Sequence, residues 1–414
     1  MIAVGRRASQ TSEIWLVDCS LYSAAYDYHL GSAVAEGQTP VRLLARALRP
    51  REAAPPADLA YEPFFYRLSE PLLQKHNSWV QRAARLLKGA EHVGDLARLV
   101  LRAWREQPAL VHFFWTTVPN LDRLAIKLIQ KTCPVLITVH NSVPLHGRRP
   151  LFNDLGSYVS AYHQADLLIA HAENTRQAML AWGLDANKID LITHPPLRLI
   201  RADAPAPRDP ERFRILLWGA IKPYKGVEDL VEAVMQARST APRIELRVVG
   251  KPFYDVADLV QRVSDQGQAD HISFDLEFKS EEALDAEIRA CDLIALPYHE
   301  IDASGSFAAS LGYDKAFVMS DVGYFSLIEI AESVRSTAFT PPRDVEALSR
   351  NLVALAADAD LYKANVAAFD TVNRSYTSWS AVGERLNGIY SRLLANHHSI
   401  GAAPTEEPAQ AVTG

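Results

Sequence analysis

The sequence predicts an α/β protein made of two doubly wound, parallel-sheet domains. Its 414 residues are too many for one typical domain. In both halves of the chain, short apolar runs that resemble buried strands alternate with helical stretches, which favours parallel sheets covered by helices on both faces. Residues 198–213, rich in Pro, Ala and charge, predict a linker between domains at 1–197 and 214–378.

In the first half, apolar or β-branched runs predict five strands, and helical patterns follow most of them. The helices include Leu121–Gln130 and Asn174–Trp182. If the strands are parallel, their carboxyl ends share one edge of the sheet, where ligands of such folds bind. The predicted strands are "EIWLVD" (13–18), "VRLLAR" (41–46), "ALVHFFW" (109–115), "PVLITVH" (134–140) and "ADLLIAH" (165–171).

The second half repeats this alternation without any repeat of sequence. Its helices include Gly226–Arg238 and Glu281–Ala290, and an amphipathic helix is predicted at 379–396. The last residues, 397–414, lack an apolar period and are expected to be disordered. The predicted strands are "FRILLWG", "IELRVVG", "HISFD", "CDLIALP" and "AFVMSD".

Composition predicts a soluble, cytoplasmic protein. The chain is 48% apolar and 22% charged, with no apolar run long enough to span a bilayer and no secretory leader pattern. Three widely spaced cysteines form no C-x-x-C pair and are expected to be buried, reduced thiols. The net charge of −6 divides into +7 for residues 1–150 and −13 for 151–414. The positive charge of residues 1–150 has two interpretations: it suits binding to an anionic membrane surface, or it belongs to an ordinary solvated surface.

Two loops of the second half suit phosphate. In "WGAIKPYKGVEDL", Lys222 and Lys225 lie at a strand-to-helix turn between Gly219 and Gly226, two residues that permit a close backbone turn. In "IDASGSFAASL", the residues Ser304-Gly305-Ser306 open a helix after another strand. Together they could hold a diphosphate without a metal ion. The alternative is a pair of solvated lysines and an ordinary N-cap.

Several segments resemble the GT-B glycosyltransferases, specifically the retaining, family 4-like group of bacterial mannosyl- and glucosyltransferases. The segments are "WGAIKPYKGVEDLVEA", "ACDLIALPYHEIDASGS" and "KAFVMSDVG", and more weakly "LVHFFW", "VLITVHNSVP" and "ADLLIAHAENTRQAML". The resemblance implies the GT-B fold, in which two doubly wound Rossmann-like domains face each other across a cleft. It also implies that the helix at 379–396 crosses back onto the first domain.

The resemblance implies roles for the residues of both loops. Lys222, Lys225, Gly219, Gly226 and the Ser304-Gly305-Ser306 turn would bind the donor diphosphate, and His140 of "TVHN" would reach the donor sugar. An imidazole there could donate a hydrogen bond to a hydroxyl or transfer a proton. A structural histidine that caps a strand end is the alternative.

The sequence departs from the group at its two signature glutamates. Their positions fall near Ile301 and Ala309, so Glu300 or Asp302 would have to replace the first of them. Because some GT-B enzymes that lack this signature invert configuration, inversion stays open beside retention. Inversion would need a base on the acceptor side, and Asp27, expected in the loop after the first strand, is the candidate; it could equally be an N-cap.

The function that the resemblance implies is hexosyl transfer from a nucleotide diphosphate sugar to a lipid-linked or oligosaccharide acceptor in exopolysaccharide or cell-surface polysaccharide synthesis. No cofactor or metal is expected. An inactive homologue acting as a scaffold subunit and a sugar-nucleotide epimerase are the alternatives. Nucleic acid binding is not expected, because the chain is acidic and has no zinc-type cysteines.

The segment 79–108 predicts contact with the inner face of a membrane. It contains apolar residues at partly helical spacing together with six basic residues. Such a stretch either lies on anionic lipid as a peripheral anchor or forms ordinary domain helices with a wet basic face. The basic residues are Arg82, Arg85, Lys88, Arg98, Arg102 and Arg105.

Overall fold

A computed structural model describes residues 13–50, 52–75, 77–140, 154–193, 195–197, 199, 209, 211–301 and 304–401 of the chain. Two parallel sheets account for its strands. The first sheet is built from residues 14–191 and the second from residues 213–340, so the predicted linker lies between them. The α/β class and the two doubly wound domains are therefore confirmed.

The first sheet has seven strands in the order β3-β2-β1-β4-β5-β6-β7, all parallel. The strand order reverses between β1 and β4, since β2 and β3 lie on one side of β1 and the later strands on the other, and this places a crevice at the carboxyl ends of β1 and β4. The strands are β1 (Ile14–Asp18), β2 (Val41–Arg46), β3 (Ala60–Phe65), β4 (Leu110–Phe113), β5 (Val135–Val139), β6 (Leu167–Ala170) and β7 (Ile189–Leu191). The helices are α1 (Ala24–Ala35), α2 (Ser69–Leu73), α3 (Ser78–Glu106), α4 (Pro119–Ile129), α5 (Leu155–Gln164) and α6 (Glu173–Ala181).

The second sheet has six parallel strands in the order β10-β9-β8-β11-β12-β13. Its strand order reverses between β8 and β11, and this position is here called the reversal point of the second sheet. Its strands are β8 (Phe213–Trp218), β9 (Ile244–Val249), β10 (Ile272–Asp275), β11 (Leu293–Leu296), β12 (Ala316–Ser320) and β13 (Phe339–Thr340). Its helices are α7 (Val227–Arg238), α8 (Ala257–Asp265), α9 (Glu281–Ala290), α10 (Gly305–Ser310), α11 (Gly323–Ser326), α12 (Glu332–Ala338), α13 (Val345–Ala357) and α14 (Ala359–Ser375).

All ten predicted strands are present, because each contains a β-branched or apolar run; nine of them are mostly buried, and β10 buries Ile272. Sequence reasoning missed β3, β7 and β13. Strand β3 contains Glu62 and Pro63, so it lacks an apolar pattern, and it is tolerated because it lies at the edge of its sheet. Strands β7 and β13 have three and two residues, too few to show a period.

The last helix, α15 (Trp379–Gly401), returns to the first sheet and packs on α1. Asn387 donates a side-chain hydrogen bond to the carbonyl of Val34 over 3.1 Å, and the Tyr390 hydroxyl lies 2.7 Å from Nδ1 of His112. The helix runs to Gly401, so the expectation that disorder begins at residue 397 is wrong for residues 397–401. Residues 402–414 lie outside the described residues.

Three clusters of buried side chains hold these layers together. One joins the first sheet, α1 and α15 to the second sheet and α14, and the other two lie on the opposite faces of the two sheets. Cys19, Cys133 and Cys291 are buried in these clusters and unbridged, as predicted. Among the helices that the structure describes, none is long and apolar enough to cross a bilayer.

Candidate active site

The loop between β8 and α7, residues 219–226, is here called the lysine loop. It leaves the sheet at Gly219, whose φ of 103° few other residues adopt, and it enters α7 through Gly226 at φ 63°. A Cβ atom on Gly226 would lie 2.1 Å from the carbonyl oxygen of Pro297, in the segment after β11. Glycine therefore lets the lysine loop pack directly against the end of the neighbouring strand.

Lys225 lies inside the junction between these two strands. Its side chain is buried, with only 5% of its surface exposed. The ammonium nitrogen is 3.2 Å from the carbonyl oxygen of Trp218 and 3.3 Å from Oγ of Ser306, to both of which it donates hydrogen bonds. It also lies 5.2 Å from the centre of the Tyr298 ring. Burial lowers the pKa of Lys225 to about 7, so a nearby anion would strongly favour its charged form.

The residues Ser304-Gly305-Ser306, here called the serine turn, meet Lys225 from the end of β11. The Ser304 hydroxyl accepts a hydrogen bond from the amide of Phe307 over 3.1 Å, and Gly305 begins α10. The Ser306 hydroxyl donates to the carbonyl of Trp218 over 3.0 Å. The structure thus brings the predicted lysine loop and serine turn together at the point where the second sheet reverses. This is where doubly wound sheets bind ligands.

Lys222 is half-buried and close enough to Lys225 for their charges to repel. Its ammonium lies 5.9 Å from the ring centres of both Tyr224 and Phe253. Burial and the charge of Lys225 both lower the pKa of Lys222. An anion bound between the two side chains would relieve this repulsion, so the geometry suits a phosphate group.

Sequence reasoning missed two residues of this junction, Tyr298 and His299, which follow β11 directly. The Nε2 atom of His299 is 2.7 Å from a carboxylate oxygen of Asp229 in the first turn of α7, and the His299 amide donates to the carbonyl of Tyr224 over 2.7 Å. These contacts fix the lysine loop against β11. Tyr298 is fully buried beneath Lys225, and burial raises its pKa to about 12. The sequence signal that could have identified Tyr298 and His299 is their position directly after the buried strand β11, at the sheet edge where ligands bind.

The two missing signature glutamates fall at positions that belong to the core. Ile301 is 6% exposed and Ala309 is 2% exposed, and both are in the apolar cluster that joins the two domains. A carboxylate at either place would be buried among apolar side chains, which is unfavourable unless it is paired. Glu300 is exposed to solvent, and Asp302 lies outside the described residues.

His140 lies at the carboxyl end of β5, at the edge where β1, β4 and β6 also end. Its Nε2 atom donates a hydrogen bond to the carbonyl of Phe114 over 3.0 Å. Its ring stacks on Trp115 at 3.9 Å between centres and meets the edge of Tyr26 at 5.1 Å. The side chain is half-buried, so it is held in one orientation and still reaches the surface.

Asp27 is not in a loop, and this expectation is wrong. It lies within α1 and is fully buried beside Asp18, whose carboxylate accepts hydrogen bonds from the amides of Ser20 at 3.0 Å and Tyr22 at 2.7 Å. Burial and the negative charge of Asp18 raise the pKa of Asp27 well above its usual value. Both effects disfavour the charged form of Asp27. A carboxyl with no exposed surface is poorly placed to accept a proton from a substrate.

Two family models match the chain, one in each half. Residues 28–195 match the family described as Glycosyltransferase Family 4, and residues 212–358 match Glycosyl transferases group 1. The two matches take in most of both sheets, including the lysine loop and the serine turn.

A curated relative and two solved structures extend this comparison. The chain is 36% identical over 99 residues to the GDP-mannose:glycolipid 4-beta-D-mannosyltransferase of Xanthomonas campestris pv. campestris, a match that spans 24% of this chain and about a quarter (27%) of that protein. The chain is similar in structure to the sucrose-phosphate synthase of Thermosynechococcus elongatus, with a TM-score of 0.69 and 16% identity over 93% of this chain and 100% of that one. It is also similar to Anabaena HepE in complex with UDP-glucose, with a TM-score of 0.66 and 14% identity over 92% and 99%.

At 14–16% identity the structural similarities establish the fold, whereas the family-model matches establish the family. Both agree with the two facing Rossmann-like sheets and with the loops at the reversal point of the second sheet. The chain is therefore a member of the GT-B-fold glycosyltransferases, of the family 4-like type.

Proposed function

We propose that the protein transfers a hexose from a nucleotide diphosphate sugar to a carbohydrate acceptor. The observation that carries this proposal is the contact between Lys225 and Ser306 at the reversal point of the second sheet. Among the described residues, this buried ammonium hydrogen-bonds neutral groups and has a second cation nearby, so it is electrostatically suited to a diphosphate. Since these cations supply the positive charge, we expect no requirement for a metal ion.

The relatives suggest which donors and acceptors to test first. The name of the Xanthomonas relative specifies GDP-mannose and a glycolipid, and the Anabaena structure contains UDP-glucose. We therefore propose a hexose donor linked to GDP or UDP, and a lipid-linked glycan of polysaccharide synthesis as the acceptor. A lipid-linked acceptor would place the reaction at the cytoplasmic face of a membrane.

The test is a donor screen with lipid-linked sugar acceptors, in which the anomeric configuration of the product is read by NMR. Transfer from one nucleotide sugar, unaffected by EDTA, is the expected outcome, and the product configuration distinguishes retention from inversion. Sugar-nucleotide conversion without acceptor would instead indicate an epimerase. Binding without turnover in any combination would indicate an inactive scaffold, and activity restored by magnesium after EDTA would contradict the metal-free site.

We propose that His140 contacts the reacting sugar from the first domain. Its stacked, half-buried position at a strand end holds the imidazole in place for hydrogen bonding or proton transfer. His140→Ala should lower kcat by about 100-fold, because general acid–base groups contribute on this scale, while nucleotide binding in the second domain is unchanged. That the ring faces the serine turn across the cleft stays a prediction.

Asp27→Asn is the matched comparison for His140→Ala. Since burial and the charge of Asp18 disfavour a negative charge on Asp27, the neutral amide should replace it with little loss of kcat. A larger loss of kcat for Asp27→Asn than for His140→Ala would reverse the assignment and support an inverting reaction with Asp27 as the base. Similar, small losses for both would remove both residues from the reaction.

A further inference from the structure

Helix α3 is a single helix of 29 residues, about 43 Å long at 1.5 Å per residue. The Asn77 side chain caps its start by accepting hydrogen bonds from the amides of Trp79 at 2.9 Å and Val80 at 3.3 Å. One side of the helix is buried against the first sheet through residues that include Leu96, Leu99 and Ala103. The segment 79–108 therefore does not form a pair of helices, and its other side runs along the surface of the first domain.

The outward side of α3 is unusually apolar. Of the twelve large hydrophobic residues that are exposed in the described part of the chain, five lie on this helix. Such a concentration on one element indicates an interaction surface, whereas single exposed apolar residues do not. The five, here called the apolar face of α3, are Trp79 (74% exposed), Leu86 (81%), Val93 (49%), Leu101 (63%) and Trp104 (41%).

The basic residues of α3 divide into two sets. Lys88 forms an ion pair with Glu70 of α2, Arg98 with Asp95, and Arg102 with Glu62 and Glu106, so these three cations are neutralised within the domain. The other three, Arg82, Arg85 and Arg105, are exposed. Arg82 lies 5.3 Å from the Trp79 ring centre, beside the apolar face.

No carboxylate on α3 opposes the three exposed arginines. Asp95 is buried, Glu106 is paired with Arg102, and Glu91 is half-buried and accepts hydrogen bonds from the amides of Leu68 and Ser69. Over its described side chains, the outward side of α3 is therefore apolar and cationic. A surface of this kind complements an apolar partner that carries negative charge.

We propose that the apolar face of α3 docks the protein on the surface of an anionic lipid bilayer. The helix would lie in the plane of the interface, with the five apolar side chains entering the headgroup boundary and Arg82, Arg85 and Arg105 near lipid phosphates. The tryptophan near each end of the helix is an amphipathic side chain that suits this depth. The proposal rests on the proposed function, because it would place the first domain, which carries α3, beside a lipid-linked acceptor.

A second copy of the chain fits this surface less well than a bilayer. Two such faces packed together would bring the exposed arginines of both copies near one another, and none of the carboxylates of α3 is exposed to pair with them. Like charges held close at an interface oppose association. An anionic bilayer satisfies both the apolar side chains and the cations at once, which is why it is the occupant proposed.

Vesicle co-sedimentation of the full chain tests the proposal. We expect binding to vesicles of phosphatidylcholine with phosphatidylglycerol, much weaker binding to phosphatidylcholine alone, and loss at high salt. Trp79→Ser with Leu86→Ser, and separately Arg82→Gln with Arg85→Gln, should each weaken vesicle binding by about ten-fold. The matched controls are Phe278→Ser, which removes an apolar side chain that is 57% exposed elsewhere, and Arg350→Gln on α13, whose side chain is 68% exposed.

Several outcomes would overturn the proposal. Absence of vesicle binding at every ionic strength would do so, as would equal losses for the α3 variants and the two controls. If the wild-type chain formed a dimer in solution and the Trp79/Leu86 variant did not, the face would be a self-association surface. Nucleotide binding measured without lipid keeps this test independent of the proposed function, since the α3 variants should bind nucleotide as the wild type does.

Discussion

Lys225 illustrates at the residue scale how the fold prepares a charge for a ligand. Its hydrogen bonds go to the carbonyl of Trp218 and the hydroxyl of Ser306, and among the described residues no carboxylate lies within ion-pair distance. Burial of an ammonium without an opposite charge is unfavourable and lowers its pKa. The unpaired charge therefore lowers the stability of the free protein and favours binding of an anion beside Lys225.

The lowered pKa of Lys225 predicts that donor binding depends on pH. Below pH ~7 the lysine is charged both free and bound; above it, binding must include uptake of a proton, because the diphosphate raises the pKa again. Affinity for the nucleotide sugar selected by the donor screen should therefore fall by up to ten-fold per pH unit above pH ~7. Calorimetry in buffers of different ionisation enthalpy measures the proton uptake.

Lys225→Met is the control for this pH dependence. The variant should bind the nucleotide sugar weakly at all pH values and take up no proton. The exposed Lys363→Met on α14 should behave as the wild type does, since that side chain lies far out in solvent. A Lys225→Met variant with wild-type affinity and pH profile would remove Lys225 from the donor site.

At the scale of elements, the site depends on how closely the turn after β8 approaches the turn after β11. A Cβ atom on Gly219 would lie 2.7 Å from Oγ of Ser306 and 3.1 Å from Nζ of Lys225. A Cβ atom on Gly250, after β9, would lie 2.0 Å from the carbonyl oxygen of Gly219. Backbone atoms of the two turns are therefore in direct contact. A larger residue at Gly219 or Gly250 would separate the groups that are proposed to bind phosphate.

Gly219→Ala is expected to damage both stability and donor binding. The positive φ alone should lower the free energy of unfolding by about 1–3 kcal/mol, and the new methyl group would displace Ser306 from Lys225. Urea unfolding and nucleotide titration measure the two effects. Gly312→Ala is the control, because Gly312 has a negative φ of −86° and open space around its Cβ position. Unchanged nucleotide affinity in Gly219→Ala would contradict the site.

At the scale of the whole molecule, α15 connects the end of the chain to the first domain. Trp379 donates a hydrogen bond to the carbonyl of Pro196 over 3.1 Å, and Tyr390 meets His112 in the buried core. Burial lowers the pKa of His112 to about 3, so the neutral ring serves as a structural partner of Tyr390. The helix crosses α1 at Gly383, where a Cβ atom would lie 2.1 Å from the carbonyl oxygen of Ala33.

The crossing at Gly383 can be tested with two substitutions on one helix. Gly383→Leu should force α15 away from α1 and lower the free energy of unfolding by several kcal/mol, since overpacking and the lost core contacts add. Gly388→Leu places the same side chain five residues later, on an exposed surface with nothing near its Cβ position, and should be nearly neutral. Thermal unfolding and limited proteolysis of α15 measure the difference. Equal effects would show that the crossing does not support the fold.

The sequence by itself determined the strands, their alternation with helices, and the loops that meet at the second sheet. Buried strands such as β8 and β11 are short apolar runs, and polar residues that follow them must lie at one edge of a parallel sheet. That rule is local, so it located Lys225 and Ser306 without knowledge of what packs around them. The same rule could not identify β3, because β3 contains Pro63 and Glu62, which are tolerated only because this strand lies at the edge of the sheet.

Only the tertiary structure decided what surrounds each of these residues. Lys225 is buried, and His299 is paired with Asp229. Asp27 lies inside α1, next to Asp18 of β1. Ile301 and Ala309 are part of the apolar core. The tertiary structure also sorted the arginines of α3 into paired and exposed sets. Each of these outcomes depends on contacts between residues far apart in the chain. Periodicity records which face of an element is apolar, but not which element covers that face or which charge lies opposite.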